Sequence, residues 1–266
     1  FMALVLLPVL TALALWKAPE PEKHRSRQDN LLTSARQMFS NGSFMLLFSG
    51  FLMLSMGTTW ASSMFMLFTT FVVEVEGNIQ AILLGFYLIQ LISLPLWIQV
   101  SYRIGKKQTW LLGATMYCLA SPGYLLLGPG DIVPLCIVLF FYGISGGNFA
   151  AISLSMKADV IEVAALRTGH HVAGSYMAVW SLGQKLFQAI AVGMALPLVA
   201  FLGFDPKGTN GPDELLALSL NITLIPTLLY GASVFVIWRY PLSAERLDSL
   251  RSAFARRQKR RDLMSR

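Results

Sequence analysis

The chain has 266 residues, 55% hydrophobic and only 13% charged, with a formal net charge of +7. Soluble domains carry roughly 25% charged residues and alternate polar with apolar faces, so this composition excludes an ordinary soluble domain. The sequence pI of about 9.6 invites a nucleic-acid reading, but the basic residues are distributed among loops between apolar runs, and that excludes it.

A helix crossing a hydrocarbon core ~30 Å thick needs about 20 apolar residues, and runs of that kind recur along the chain. Residues 1–16 read as the truncated end of a membrane helix, because Phe1 already lies inside an apolar run. No basic stretch precedes that run, as one would in a signal peptide. Residues 17–42 read as a charged cytoplasmic central loop with Pro19 and Pro21 near its start. It is predicted to hold a short interfacial helix with Leu31, Leu32, Ala35, Met38 and Phe39 on one face. Six full spans follow, at 43–73, 79–101, 109–128, 131–154, 174–202 and 214–238. The predicted fold class is therefore an all-α integral membrane protein, with a six-helix bundle over 43–238. Residues 239–266 form a basic cytoplasmic tail suited to an anionic leaflet. Cys118 and Cys136 fall inside spans and read as packing residues, not as a disulfide.

The loops alternate in charge. Lys17, Lys23, Arg25, Arg27 and Arg36 precede the first full span; Arg103, Lys106 and Lys107 follow the second. Lys157 and Arg167 follow the fourth, and nine further cations occupy the tail. The opposite loops hold Glu74, Glu76, Asp131, Asp205, Asp213 and Glu214, with Lys207 their one cation. The positive-inside rule then predicts that the basic side is cytoplasmic, in the manner of a bacterial inner-membrane protein.

Lys185 lies near the middle of the fifth full span. Ser181, Gln184 and Gln188 flank it at helical spacing, so the four face roughly one way. A charge at that depth costs on the order of 2.5–3.5 kcal/mol unless it is paired or hydrated. It is about 11 residues from Gly174 and from Pro197, too far to snorkel to an interface with ease. This stripe is therefore predicted to face a polar cavity. Thr58, Thr59, Trp60, Ser62 and Ser63 form a polar patch in the first full span. Tyr87, Gln90, Trp97 and Gln99 dot the second, and Tyr142, Gly146, Gly147 and Asn148 mark the fourth. Taken singly, such residues pack or bond between helices. Together, rings beside amides and hydroxyls suit a sugar-like ligand.

The connection after the fourth full span carries Asp159 and Glu162, three apart and on one face if helical. These could pair with basic loops in one conformation and release them in another. A solvated carboxylate pair is the alternative. The turn Arg103-Ile-Gly-Lys-Lys107 is tight and basic, with Gly105 permitting the bend. His170 and His171 are adjacent, so their rings diverge, and no cysteine is near; a metal site is not predicted. Asn41-Gly-Ser43 and Asn221-Ile-Thr223 match a glycosylation pattern by chance. No phosphate-binding glycine loop, nucleophile elbow or zinc-ligand spacing occurs. Neither an enzyme nor an ATP-driven pump is predicted, and no cofactor is needed.

The basic central loop, six spans and the Arg103-Ile-Gly-Lys-Lys turn resemble the C-terminal half of a major facilitator superfamily transporter. The stretch Ala158-Asp159-x-x-Glu162, Thr168-Gly169, Gly174-x-Tyr176 and Lys185 narrows the resemblance to the glycoside–pentoside–hexuronide:cation symporters, whose melibiose transporters are best known. The resemblance implies a 12-helix protein of two six-helix halves, with solute bound between them and alternating access. It implies a cytoplasmic gate at Asp159 and Glu162, with Arg167, Thr168, Gly169, His171 and Arg103 beside it. Lys185 would lie near the cation and sugar sites. The family often has an acid where Ala165 stands and an arginine where His171 stands. Its cation-binding aspartates belong to the N-terminal half, so a sodium or proton site is expected there and not in this chain.

The first reading is thus cation-coupled symport of a sugar or glycoside. A lysolipid or other organic-solute carrier and a non-transporting membrane sensor are the alternatives. The implied partners are a small solute, a coupling cation, membrane lipid and the N-terminal half.

Overall fold

The computed structural model describes residues 38–75, 77, 79–168, 173–241, 249 and 252. Its regular elements are helices: α1 Gly42–Phe71, α2 Ile79–Ile104, α3 Lys106–Ala120, α4 Ile132–Thr168, α5 Ala173–Phe201 and α6 Pro212–Trp238. A 3-10 turn, Ser121–Leu126, extends α3.

Five of these helices, all except α3, are long and apolar enough to cross a membrane. α3 has 15 residues, which is ~22 Å at 1.5 Å each. Ser121 keeps helical backbone angles, so the chain runs on without a break. The six residues of the 3-10 turn add ~12 Å at 2.0 Å each. Together they match a core of ~30 Å and supply the sixth crossing. The predicted run 1–16 lies outside the described residues, as do most of the central loop and the tail. Of the expected interfacial face, Met38 is buried and Phe39 is exposed.

The helix boundaries differ from the sequence expectation chiefly at α4. The run of apolar residues fades near 154, but the helix continues to Thr168. Lys157, Asp159 and Glu162 therefore lie on a helix and not in a connecting loop. Hydropathy measures where lipid ends, and a helix can outlast it when its charges find partners.

Several ends are capped by local chemistry. Asn41 caps α1 by accepting a hydrogen bond from the Phe44 amide at 3.4 Å, a use of the Asn-Gly-Ser triplet that has nothing to do with glycosylation. Pro212 opens α6, with Asp213 and Glu214 in its first turn, where anions complement the helix dipole. Gly105 sits at φ 86° between α2 and α3, a left-handed conformation that favours glycine. The two helices are thereby joined with a single residue between them.

The bundle is held by close approaches at small residues. α1 packs on α6 and α5, α2 on α4, and α3 on α4 and α6, whereas α4 and α5 touch only slightly. Gly50 and Gly57 seat Ile237 and Tyr230 of α6; a methyl at either position would come within 2.6 Å of those side chains. Gly143, Gly146 and Gly147 of α4 receive Ile89, Gln90 and Ser93 of α2. Without a hydrophobic drive between helices in lipid, such backbone approach supplies the dispersion contact. Buried hydrogen bonds reinforce it: Trp97 Nε1 donates to the Ile144 carbonyl at 2.7 Å, and Ser233 Oγ donates to the Gly50 carbonyl at 2.7 Å.

Two aromatic layers fill the interior. Phe44, Phe48, Phe51, Phe149, Tyr176 and Trp180 cluster where α1 and α5 begin. Tyr117, Tyr124, Tyr142 and Tyr230 cluster further along. The first layer marks the basic end of the bundle. The other end holds Glu74, Asp131, Asp205, Asp213 and Glu214, and there Phe71 meets Phe204 edge to face with centroids 5.1 Å apart.

Candidate functional site: a polar stripe and an ion-paired end

α5 turns one face to the bundle, through Tyr176, Trp180, Ala191, Ala195 and Val199. Ser181, Gln184, Lys185 and Gln188 follow at i, i+3, i+4 and i+7, along the border of that packed face. Ser181 and Lys185 are exposed, and Gln184 and Gln188 are half-buried. Lys185 lies 12 residues into a helix of 29, ~18 Å from its start, so its Cα is near mid-helix. The four residues share one face, and the chain leaves that face open.

The other pathway candidates divide into two sets. Tyr87 is 62% exposed, while Thr58, Thr59 and Gln90 are half-buried. Thr58 Oγ1 donates to the Ser55 carbonyl at 3.0 Å, a bond within its own helix. Trp60, Tyr142 and Asn148 are buried within the bundle. Trp60 Nε1 donates to Asn221 Oδ1 at 2.7 Å, and Asn148 Nδ2 donates to the Thr109 carbonyl at 2.7 Å while packing on Gly113. Tyr142 stands in the tyrosine layer. These three make contacts between helices of the bundle.

The structure also separates candidates by depth. α1 and α5 run side by side in the same direction. Phe48 lies against Gly183, and Phe71 against Phe204. That register sets Lys185 level with about Phe51, so Thr58 and Thr59 are ~10 Å further along the axis. Lys185 and the Thr58–Thr59 pair therefore do not stand at one depth.

At the basic end, Lys106 Nζ lies 2.5 Å from Asp159 Oδ2, with side chains 37% and 15% exposed. Lys106 is the first residue of α3, where the helix dipole disfavours a cation; Asp159 of α4 compensates it. Tyr240, just past α6, is buried. Burial first, and then the nearby Asp159 charge, raise its phenol above the ordinary value, so it stays neutral. Three elements thus meet around one carboxylate. Glu162 is half-buried one turn further on, and Arg103 is exposed in the last turn of α2. Arg167 and Thr168 belong to the last turn of α4; Gly169 and His171 lie outside the described residues. Sequence reasoning chose Arg103 from the basic turn, but Asp159 takes Lys106. The signal was Gly105, whose bend starts α3 at Lys106. Tyr240 had no sequence signal.

Lys157 was read as a loop cation. It lies on α4, half-buried, with Nζ 4.7 Å from the Trp180 ring centroid and 5.8 Å from that of Phe51.

A six-crossing bundle with glycine-seated helices, an ion-paired basic end and an open polar stripe has the architecture of half a membrane transporter. The sequence profile of the MFS/sugar transport protein family matches residues 1–244, and the chain belongs to that family. Among its relatives, the human sodium-dependent lysophosphatidylcholine symporter 1 is 23% identical over 248 residues, which are 91% of this chain and 45% of the relative. The glucuronide carrier protein homolog of Escherichia coli K12 is 25% identical over 227 residues, 84% of this chain and 49% of that protein. The mouse sphingosine-1-phosphate transporter MFSD2B is 25% identical over 239 residues, 87% and 48%. The chain spans about half the length of these relatives, and all three are transporters or carriers by name.

Proposed function

We propose that this chain is the C-terminal half of a secondary transporter that works by alternating access, coupled to sodium or a proton, and carries a sugar or glycoside. The single observation behind this reading is Lys185. It sits at mid-helix on α5, on an open face, beside two amides and a hydroxyl. A helix that met only lipid there would bear the full cost of a charge in hydrocarbon. An N-terminal six-helix half would cover this face and enclose a wet path, with the basic ends toward the cytoplasm of a bacterial inner membrane. The Lys106–Asp159 pair would then close the cytoplasmic side.

A lysolipid is the second reading, and a specific observation favours it. Trp60 and Tyr142, two of the rings that suited a sugar, are held inside the bundle. Around exposed Tyr87, α2 presents Leu84, Leu88, Leu91 and Ile92. A long apolar face on α2 and an ammonium on the open face of α5 are the two features that an amphiphile needs from one pathway. The relatives' names point both ways, to a glucuronide and to two lysolipid-type solutes; each of these chemical classes carries an acidic group.

Counterflow of labelled glycosides and lysolipids into proteoliposomes of the full-length protein tests the reading. Cation-driven uptake should fall at least ~100-fold in Lys185→Ala at equal expression, about 2.8 kcal/mol at 1.4 kcal/mol per tenfold. Unchanged uptake in that variant removes the assigned role.

A further inference from the structure

The transport reading uses Lys185 and the basic-end pair but leaves Lys157 without a task. The ammonium of Lys157 rests over two ring faces, of Trp180 from α5 and Phe51 from α1. Trp180 and Phe51 are themselves packed at 4.5 Å between centroids, and Phe149 stacks on Phe51 at 5.0 Å. The rings are therefore fixed, and they fix the cation. Among the described residues Lys157 forms no ion pair and no hydrogen bond. An aromatic face attracts an ammonium through the ring quadrupole. It does not satisfy three N–H donors as a carboxylate or phosphate does. The charge is thus oriented but not neutralised.

Its location adds to this. α4 and α5 have little direct contact, and Lys157 reaches from one toward the other above α1. Trp180 precedes Lys185 by five residues, ~8 Å along α5. The Lys157 ammonium, carried by α4, therefore rests against α5 at Trp180, nearer the start of α5 than Lys185 on the open stripe. Asp159, two residues further along α4, is committed to Lys106.

We propose that Lys157 is an anion-recognition residue at the basic end of the pathway, where it takes the acidic group, carboxylate or phosphate, of the transported solute. Trp180 and Phe51 hold its ammonium in place while its donors stay open. This rests on the transport reading and adds to it a solute class: molecules with one acidic group. A lysine of this kind could instead be a simple packing latch between α4 and α5, and a latch would not distinguish acidic from neutral solutes.

The test uses matched probes with the full-length protein in proteoliposomes. One pair is p-nitrophenyl β-glucuronide and p-nitrophenyl β-glucoside; the other is oleoyl lysophosphatidate and mono-oleoylglycerol. In Lys157→Met the ratio of acidic to neutral uptake should fall about tenfold or more, as loss of a charge-assisted hydrogen bond of ~1.5–3 kcal/mol requires at 1.4 kcal/mol per tenfold. Lys157→Arg, which keeps charge and ring stacking, should recover most of the ratio. Should Lys157→Met fail to fold, Lys157→Gln carries the same measurement. An unchanged ratio, or wild-type uptake confined to the neutral members, overturns the anion site and leaves transport standing. A ratio change seen with added phosphatidylglycerol but absent in phosphatidylcholine vesicles assigns the anion to lipid and also overturns it. Wild-type protein that moves none of the four probes removes the sugar and lysolipid reading, and this inference with it.

Discussion

Asp159 shows how one residue joins three elements. It pairs with Lys106 at the start of α3, and its charge adds to burial in keeping Tyr240 neutral beyond α6. The pair is partly exposed, and a pair of this kind contributes about 1 kcal/mol at most. That is enough to shift a two-state equilibrium about fivefold at 1.4 kcal/mol per tenfold. Asp159→Lys should therefore raise accessibility of the basic end about fivefold. The readout is labelling of a cysteine placed at Ser153, in a background lacking Cys118 and Cys136. The exchange Lys106→Asp with Asp159→Lys should restore the original rate. A double variant as reactive as the single one would show that the pair does not govern that accessibility. The candidate acids were legible in the sequence because they lie three apart. Their partner was less so, because the turn around Gly105 offers Arg103, Lys106 and Lys107 within five positions.

At the scale of helices, the bundle depends on backbone approach. Gly147 of α4 lies so close to α2 that a side chain there would overlap Ser93 Oγ and the Gln90 carbonyl. Gly147→Leu should lower stability by at least ~1–3 kcal/mol, the usual cost of overpacking, read as a lower unfolding midpoint in detergent. Gly193 of α5, where an added methyl meets nothing within 4 Å, is the control: Gly193→Ala should keep or raise the midpoint, since glycine is the poorer helix former. Equal losses at both sites would mean that helix propensity and not interhelical contact sets stability. The sequence pattern offered Gly146 and Gly147, with Asn148 and Trp60, as residues that pack between helices or together line a site. It could not choose between the two roles for Asn148 or Trp60, because a polar side chain lining a cavity and one bonded across a helix pair have the same spacing along the chain.

For the whole molecule, alternation of charge between successive loops is matched by helices that reverse direction in turn. The basic end then faces one compartment and the acidic end the other. With Cys118 and Cys136 replaced, Asp205→Cys should react with an impermeant maleimide applied to intact cells, and Lys107→Cys should react only after lysis. The reverse pattern would invert the orientation proposed here. Family membership was also legible before any coordinates, because Asp159, Glu162, Gly174, Tyr176 and Lys185 keep a fixed distance along one stretch of chain.

The sequence by itself determined the helical class, the apolar runs, the charge asymmetry of the loops and the mid-span lysine. Each of these follows from local composition: lipid demands apolar runs of set length, and a charge inside such a run is visible without a fold. Only the tertiary structure decided that α4 outlasts its apolar run, that Asp159 takes Lys106, that Trp60, Tyr142 and Asn148 face inward, and that Lys157 rests on Trp180 and Phe51. Those outcomes depend on how helices distant in the chain rotate against one another. Such rotation is set by glycine seats and ring packing between elements, and a periodicity of 3.6 residues within one helix cannot specify which neighbour its faces will meet.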